Sequence, residues 1–259
     1  MTSQATATHD DWDTHWERYA DAASQNPAQR MRHEIITRLL GESTAGRAAR
    51  VFDIGSGQGD LVRLLTPVLP AAQFLGAELS ASGVEISQRK APGATFLVAD
   101  LFHPPVALQP FTGWASHAVC SEVLEHVDDP AAFLRQARPY LEDNAQLIVT
   151  VPGGPMSAFD RHIGHRQHFT RASIREVLAE AGFRVERVCM AGFPFFNLYR
   201  LTVIARGEKL AADVNAGGGG FAARLAGFVM AAFRFFFRGN LLDSAFGWQV
   251  VAVARKTSL

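Results

Sequence analysis

Apolar residues come along this chain in two alternating textures. Short runs rich in β-branched and aromatic residues read as strands: VFDIG from Val51, QFLGAEL from Gln73, TFLVAD from Thr95, VCSE from Val119 and QLIVTV from Gln146. Stretches with apolar positions three and four apart read as helices, one opening at Asp60, one after Ser80, and one with Asp129 as N-cap and Pro130 in its first turn. TRASIREVLAEAGF adds another, with Thr170 or Ser173 as N-cap and Gly182 just past its end. PAQRMRHEIITRLL, closed by Gly41, forms a helix ahead of the first strand. FRVERVCM and GWQVVAVARK read as sixth and seventh strands. Strand and helix in alternation predict an α/β fold with a doubly wound, mostly parallel, seven-stranded sheet, whose ligands bind beyond the carboxyl ends of the strands.

Two segments stand outside that rhythm. Asp11–Tyr19 brings Trp12, Trp16 and Tyr19 to helical spacing, so residues 1–42 read as a lid over a pocket or as aromatic packing on the core. About 55 residues separate the sixth strand from the seventh, far more than a hairpin loop. This apolar helical insertion, 193–246, divides the core, 43–192, from its last strand, 247–259. It holds GFPFFNLYRLTVIARGEKL, a Gly217–Gly220 joint, and a Phe-rich stretch over 221–242 interrupted by Arg224, Arg234 and Arg238. Its longest uninterrupted apolar run is too short to cross a bilayer, which takes ~20 residues. An interfacial helix, a lid over an apolar acceptor and a dimer seam all answer the need to cover that surface.

Composition narrows the classes. At 259 residues the chain can bury a substantial core. Lys plus Arg and Asp plus Glu both number 25, so no charge excess points to a nucleic-acid partner. The 2 cysteines, Cys120 and Cys189, lie far apart in apolar runs, a reduced pattern with neither a disulfide framework nor a metal clip. MTSQATATHDDWD carries no secretion signal, and the expected location is cytoplasmic, peripheral on the inner face of a membrane if the insertion binds one.

The chemistry concentrates in VFDIGSGQGD. Gly55, Gly57 and Gly59 follow a strand and precede a helix, where they let the backbone turn with positive φ and approach a ligand. The spacing GxGxG is not the GxGxxG that seats a dinucleotide pyrophosphate. Asp53, ahead of the loop, would repel a pyrophosphate and hold an ammonium, and Glu78 ends the next strand in position to accept ribose hydroxyls. Ammonium and ribose without pyrophosphate describe S-adenosylmethionine (SAM).

VFDIGSGQGD, GAELS, ATFLVADL, AVCSEVLEHVDDP and AQLIVTVPGG, five motifs in order across roughly residues 50 to 190, resemble those of the class I SAM-dependent methyltransferases. One departure is Ala115-Ser116-His117-Ala118-Val119, where an acid is common before the fourth strand. The resemblance implies a Rossmann-like sheet ending in an antiparallel pair, with SAM as cofactor. It implies that Asp53, Gly55, Ser56, Gly57 and Gly59 hold the methionine side, and Glu78 and Leu79 the ribose. Asp100 and Leu101 would meet the adenine, and Ser121 and Glu122 would sit near the methionine end.

Two clusters bear on the acceptor. In SEVLEHV, Glu122, Glu125 and His126 fall at i, i+3 and i+4, one face of the helix expected there. The string resembles the Glu-x-x-Glu-His of ubiquinone-biosynthesis and small-RNA 3′-end methyltransferases, which hold a metal with it. Metal-free relatives carry the same string, and the cofactor expected is SAM without a divalent ion. Three histidines, His162, His165 and His168, lie in the loop after the fifth strand. His165 and His168 are the expected catalytic pair, since imidazole is the usual base for a hydroxyl, and His162 is expected to be a solvated loop residue.

The function expected is therefore SAM-dependent methylation, O-methylation in preference, of a small apolar or lipid-like acceptor such as a quinone, polyketide or lipid-linked glycan precursor. Reversible association with anionic membrane surfaces through 221–242 goes with it. A non-catalytic methyltransferase-like binding protein, a membrane-surface module and an NAD-dependent oxidoreductase are the alternatives. The glycine spacing and Asp53 speak against the last of these.

Overall fold

The computed structural model of the chain describes residues 12–13, 26–215, 233 and 235–258. Seven strands form one sheet in the order β3-β2-β1-β4-β5-β7-β6. They are β1 Arg50–Ile54, β2 Gln73–Glu78, β3 Thr95–Val98, β4 Ala115–Ser121, β5 Leu141–Pro152, β6 Phe183–Ala191 and β7 Gln249–Lys256. β1 to β5 run parallel, and β7 lies antiparallel between β5 and β6. The expected fold class is the observed one.

Alternation along the strands explains the two layers of core. On β1, Phe52 and Ile54 join one apolar cluster while Val51 joins the other, and β4 divides the same way between Ala118 and Val119. Helices cover both faces, as a buried parallel sheet requires. α1 (Pro27–Thr44), α2 (Asp60–Val68) and α3 (Ala81–Lys90) supply Ile36, Leu65 and Val84 to the second cluster. α4 (Pro130–Ala137) and α6 (Arg171–Glu180) supply Leu134 and Leu178 to the first.

The capping residues act largely as their chemistry dictates. Ser80 and Asp129 accept backbone N–H bonds from Gly83 and Ala132, and Thr170 forms a capping box with Ser173. α1, however, does not stop at Gly41; it runs on to Thr44 and closes at Ala45, whose φ of 47° takes the left-handed turn instead. The loop expected after β5 contains a short helix, α5 (Ala158–His162), because Ser157 and Asp160 make a second capping box there.

The insertion opens with α7, Phe195–Asn215. Phe196 and Phe237 pack with Ala28 and Met31 of α1, with Tyr199, Phe233 and Trp248 around them, so both ends of the insertion bear on the first helix. Trp16, Tyr19, the Gly217–Gly220 joint, Phe221, Arg224, Phe228 and Arg234 lie outside the described residues. Among the described residues no helix is long and apolar enough to cross a membrane.

Gly59 fixes the start of α2 at φ 74°, and a Cβ there would stand 2.9 Å from the Cα of Ser87 on α3. Gly59→Ala is expected to destabilise the fold by about 1–3 kcal/mol through strain and overpacking. Urea melts of the variant indistinguishable from wild type would contradict this.

Candidate active site

β1, β2 and β4 bring Asp53, Glu78 and Glu122 to one edge of the sheet, at the point where strand order reverses. Between β1 and α2 the chain turns through Gly55 (φ 73°), and a Cβ on Gly55 would lie 2.5 Å from the side chain of Val123. Only glycine lets the backbone pass that close. The loop is held by its N–H groups: Gly55 and Ser56 donate to the Ala77 carbonyl at 2.8 and 3.1 Å. Gly57 and Ser80 donate to the two oxygens of Glu78 at 2.8 and 3.0 Å, which orients that carboxylate.

Two cavities meet here, with Gly55 and Glu122 lining both. The smaller, about 160 Å³, is polar and lined by Arg32, His33, Asp53, Ser56, Gly57 and Ser121 among others. The larger, about 510 Å³, runs past Glu78, Leu79, Asp100 and Leu101 and is bordered by Trp12 and His126. Gly59 lines neither; it shapes the loop. Trp12, the described part of the N-terminal aromatic segment, meets His126 edge-on at 4.9 Å, and Asp13 accepts hydrogen bonds from Ser80 and Ser82.

Asp53 is the electrostatic oddity of the smaller cavity. It is buried, and its Oδ2 has no hydrogen-bond partner. Burial first, then the neighbouring Glu78, raises its carboxyl to about 7. A cation is what such a group lacks, so an ammonium fits. Opposite, burial and the charges of Arg32 and Arg63 push His33 down to about 3, leaving it neutral. Arg32, with its guanidinium 3.5 Å from Glu122, supplies positive charge. Gln29, Arg32 and His33 were not among the expected site residues. Their signal was a polar stripe at i, i+3 and i+4 beside the buried positions Ala28, Met31 and Ile36 of the same helix.

Glu122 departs from the expectation of a helical Glu122, Glu125, His126 face. It sits in the left-handed region at φ 56°, and only Leu124–His126 form a 3₁₀ turn, so the three residues do not share one helical face. Its Oε1 accepts from Thr150 Oγ1 at 3.2 Å and Gln249 Nε2 at 3.0 Å. Ser121 meets Thr150 as well, at 2.8 Å. Glu125 instead is fully buried with both oxygens lacking hydrogen-bond partners, and burial, then Glu122, raises its carboxyl well above the usual range. Among the described residues, the groups whose ligand atoms converge within 4.8 Å are Glu125, His126 and His165, and, separately, Asp160, His165 and His168. The second set is already committed, because Asp160 accepts from Arg200 and Ser157.

The expected histidine pair is brought together, one layer behind the cavity wall. His126 faces the larger cavity, and His165 stands edge-on to it at 4.8 Å. His165 Nδ1 lies 3.2 Å from His168 Nε2, and His168 Nδ1 lies 3.1 Å from the Gly154 carbonyl. That carbonyl can only accept, which assigns the tautomers in turn. His168 carries its proton on Nδ1, its Nε2 accepts from His165 Nδ1–H, and His165 Nε2 keeps a lone pair. Burial, then His126, holds His165 at about 3, and burial also lowers His168, so both rings are neutral near pH 7. His162 is exposed at the end of α5.

Fold and site together define an enzyme that binds a nucleoside carrying a cation. A methyltransferase-domain family matches residues 19–188, well over half of the chain, and the protein belongs to it: it is a class I SAM-dependent methyltransferase. No curated protein sequence matches the chain. Among solved structures it resembles the [4+2]-cyclase SpnF, with TM-score 0.56 and 18% identity over 86% of this chain and 81% of that one. It also resembles geranyl diphosphate methyltransferase in complex with GPP and sinefungin (0.56, 15%, 88% and 79%). A third is magnesium protoporphyrin IX methyltransferase from Synechocystis PCC 6803 with bound SAH (0.54, 17%, 89% and 86%). At these identities the likeness is one of fold, which hosts more than one chemistry.

The Asp53 carboxyl gives a signed pH dependence. Because it rises from 3.8 to about 7, the folded protein retains a proton that the unfolded chain has released. Stability of the ligand-free protein therefore falls as pH climbs through that window, by on the order of 4 kcal/mol in all. Asp53→Asn should flatten that decline. Parallel stability–pH curves for wild type and variant would rule it out.

Proposed function

We propose that this methyltransferase acts on a hydroxyl oxygen of a small apolar or lipid-like acceptor. The reading is carried by the array of three imidazoles, His126, His165 and His168, beside the larger cavity, with the lone pair on His165 Nε2 that the tautomer assignment leaves there. SAM supplies an activated methyl group on a sulfonium with a neutral thioether as leaving group. The chain's own work is then positioning, worth up to ~7–11 kcal/mol, and removal of the acceptor's proton, worth ~10²–10⁴-fold.

Asp53 would hold the cofactor's ammonium, Arg32 its carboxylate, Glu78 the ribose hydroxyls and Asp100 the adenine amine. Gly55, Ser56 and Gly57 admit the backbone close to it, and Leu79 and Leu101 cover the nucleoside. Ser121 and Glu122, lining the smaller cavity, would border the methionine end. The proton would leave through the imidazole array, His126 facing the cleft and His165 and His168 behind it. An imidazole held as low as His165 is a weak base, so the array acts by orientation and relay more than by basicity.

Support for an apolar acceptor comes from the insertion. Leu198 and Leu201 on α7 and Phe235, Phe236, Leu241, Leu242 and Phe246 after it are exposed. The geranyl diphosphate methyltransferase shares the fold and binds GPP. The same residues would meet a membrane surface, in keeping with a cytoplasmic, peripheral enzyme. A divalent ion on Glu125, His126 and His165 is a second reading, favoured by the unpartnered buried carboxylate of Glu125. Such an ion would lower the acceptor hydroxyl's pKa.

Asp53→Ala and Glu78→Ala should each weaken SAM binding at least tenfold, the loss of about 1.5–3 kcal/mol from a charged hydrogen bond. Calorimetry finding equal affinities would remove both assignments. His165→Ala or His168→Ala should lower kcat tenfold or more and leave SAM affinity unchanged. Full rates in both, with activity abolished by EDTA and restored by a divalent ion, would favour the metal reading instead. Phe235→Ser with Phe236→Ser should reduce binding to anionic vesicles or activity on apolar acceptors at constant SAM affinity. A variant unaltered in both would show these rings to serve neither.

A further inference from the structure

Arg200 is a charged residue in the apolar run FFNLYRLTVI of α7, and its side chain is only 13% exposed. Its guanidinium forks onto Asp160, with Nη1 to Oδ1 at 3.0 Å and Nη2 to Oδ2 at 2.8 Å. Asp160 itself is fully buried. Burial pushes the Asp160 carboxyl up, but Arg200 and Ser157 outweigh burial and hold it at about 2, so the pair is ionic. A buried ion pair of this kind is no better for stability than packed apolar side chains of the same volume. What it does provide is a fixed geometry, because a fork on a carboxylate sets direction as well as distance.

Asp160 transmits that geometry in three ways. Its carboxylate accepts from the N–H and hydroxyl of Ser157, both at 2.7 Å, closing the turn that begins α5. Its backbone carbonyl accepts the N–H of His165 at 2.9 Å. Its Oδ2 lies 3.9 Å from His168 Nε2, the atom that accepts from His165. The far side of the same loop is tied to the β4 turn, where Arg166 N–H donates to the Glu125 carbonyl at 2.8 Å. The histidine pair therefore hangs between the turn after β4 and one arginine of the insertion.

We propose that Arg200 is a positioning residue for the imidazole array, fixing through Asp160 the orientation of His165 and His168 and with it the hydrogen bonds that set their tautomers, so that the insertion governs the acceptor side of the site. The role in catalysis rests on the assignment of the proton transfer to that array. The control is structural and is exerted on groups that do not touch Arg200 directly.

The test reads imidazole nitrogens by NMR in the SAM-bound protein labelled with ¹⁵N-histidine. In wild type both His165 and His168 should show a single tautomer protonated at Nδ1. In Arg200→Gln that pattern should be lost for both rings, while His33 and His117, which lie elsewhere, keep their signals and SAM affinity stays within twofold. Arg200→Lys keeps the charge but loses the fork, and should show an intermediate mixture. Asp160→Asn combined with Arg200→Gln should disturb the rings no more than the worse single change, as expected of residues acting through one contact. If Arg200→Gln fails to fold, Arg200→Lys carries the decision. Unmoved His165 and His168 signals in a folded variant overturn the proposal, as does an equal disturbance of His33 and His117. Should the tautomers change as expected while His165→Ala and His168→Ala retain full turnover, the positioning stands and the assignment of the base falls.

Discussion

Two carboxylates buried side by side at the carboxyl edge of adjacent strands set the terms for this site. Asp53 and Glu78 belong to β1 and β2, and the charge of Glu78 adds to burial in raising the cost of ionising Asp53. Glu78 is relieved by the N–H groups of Gly57 and Ser80, whereas Asp53 Oδ2 has no hydrogen-bond partner. The site is thus short of one positive charge at one atom, and a SAM ammonium is a ligand that corrects it. The glycine loop and the parallel sheet serve that asymmetry, the first by letting a ligand's backbone-like end come close, the second by placing both acids at the strand-order reversal.

The histidine side of the cleft obeys a different constraint. Its polar groups sit on short irregular segments, the turn after β4 and the loop around α5. They are fixed by charged and neutral hydrogen bonds reaching in from β5, β7 and α7. Gln249 and Thr150 hold Glu122 in a conformation that an isolated turn would not choose, and Arg200 with Ser157 holds Asp160. The insertion, packed on α1 through Phe196 and Phe237, joins the helix that carries Arg32 to the loop that carries the histidines.

The sheet was legible because it is governed by local periodicity. VFDIGSGQGD and GAELS placed strand, loop and acid within a residue of where they lie, and Ser80, Asp129 and Thr170 capped the helices expected of them. What failed was geometry set from a distance. The i, i+3, i+4 spacing of Glu122, Glu125 and His126 implied a helical face, yet partners on β5 and β7 hold Glu122 left-handed ahead of the turn. Gly41 looked like a helix end, but α1 continues because Leu40 lies on the core-facing side of a helix that packs on α2. His165 and His168 were visible as a cluster, while their place behind His126 was not, since it depends on Arg200 some 40 residues beyond Asp160. Arg32 was hidden for the opposite reason, as one basic residue among several on a helix with no motif.

The placement of β7 has a consequence for the order in which the protein comes to life on the ribosome. Gln249 reaches Glu122 across 127 residues of sequence, and β7 fills the gap between β5 and β6. A nascent chain that has emerged only as far as the insertion already carries the glycine loop, Asp53 and Glu78. It still lacks the strand that joins β6 to the sheet and the amide that steadies Glu122. Two unpaired strand edges stand open through that interval, and such edges invite pairing with other chains. Translation thus delivers the glycine loop early and the finished Glu122 corner of the cleft late, so a truncated product would expose its hazard before it could complete its site.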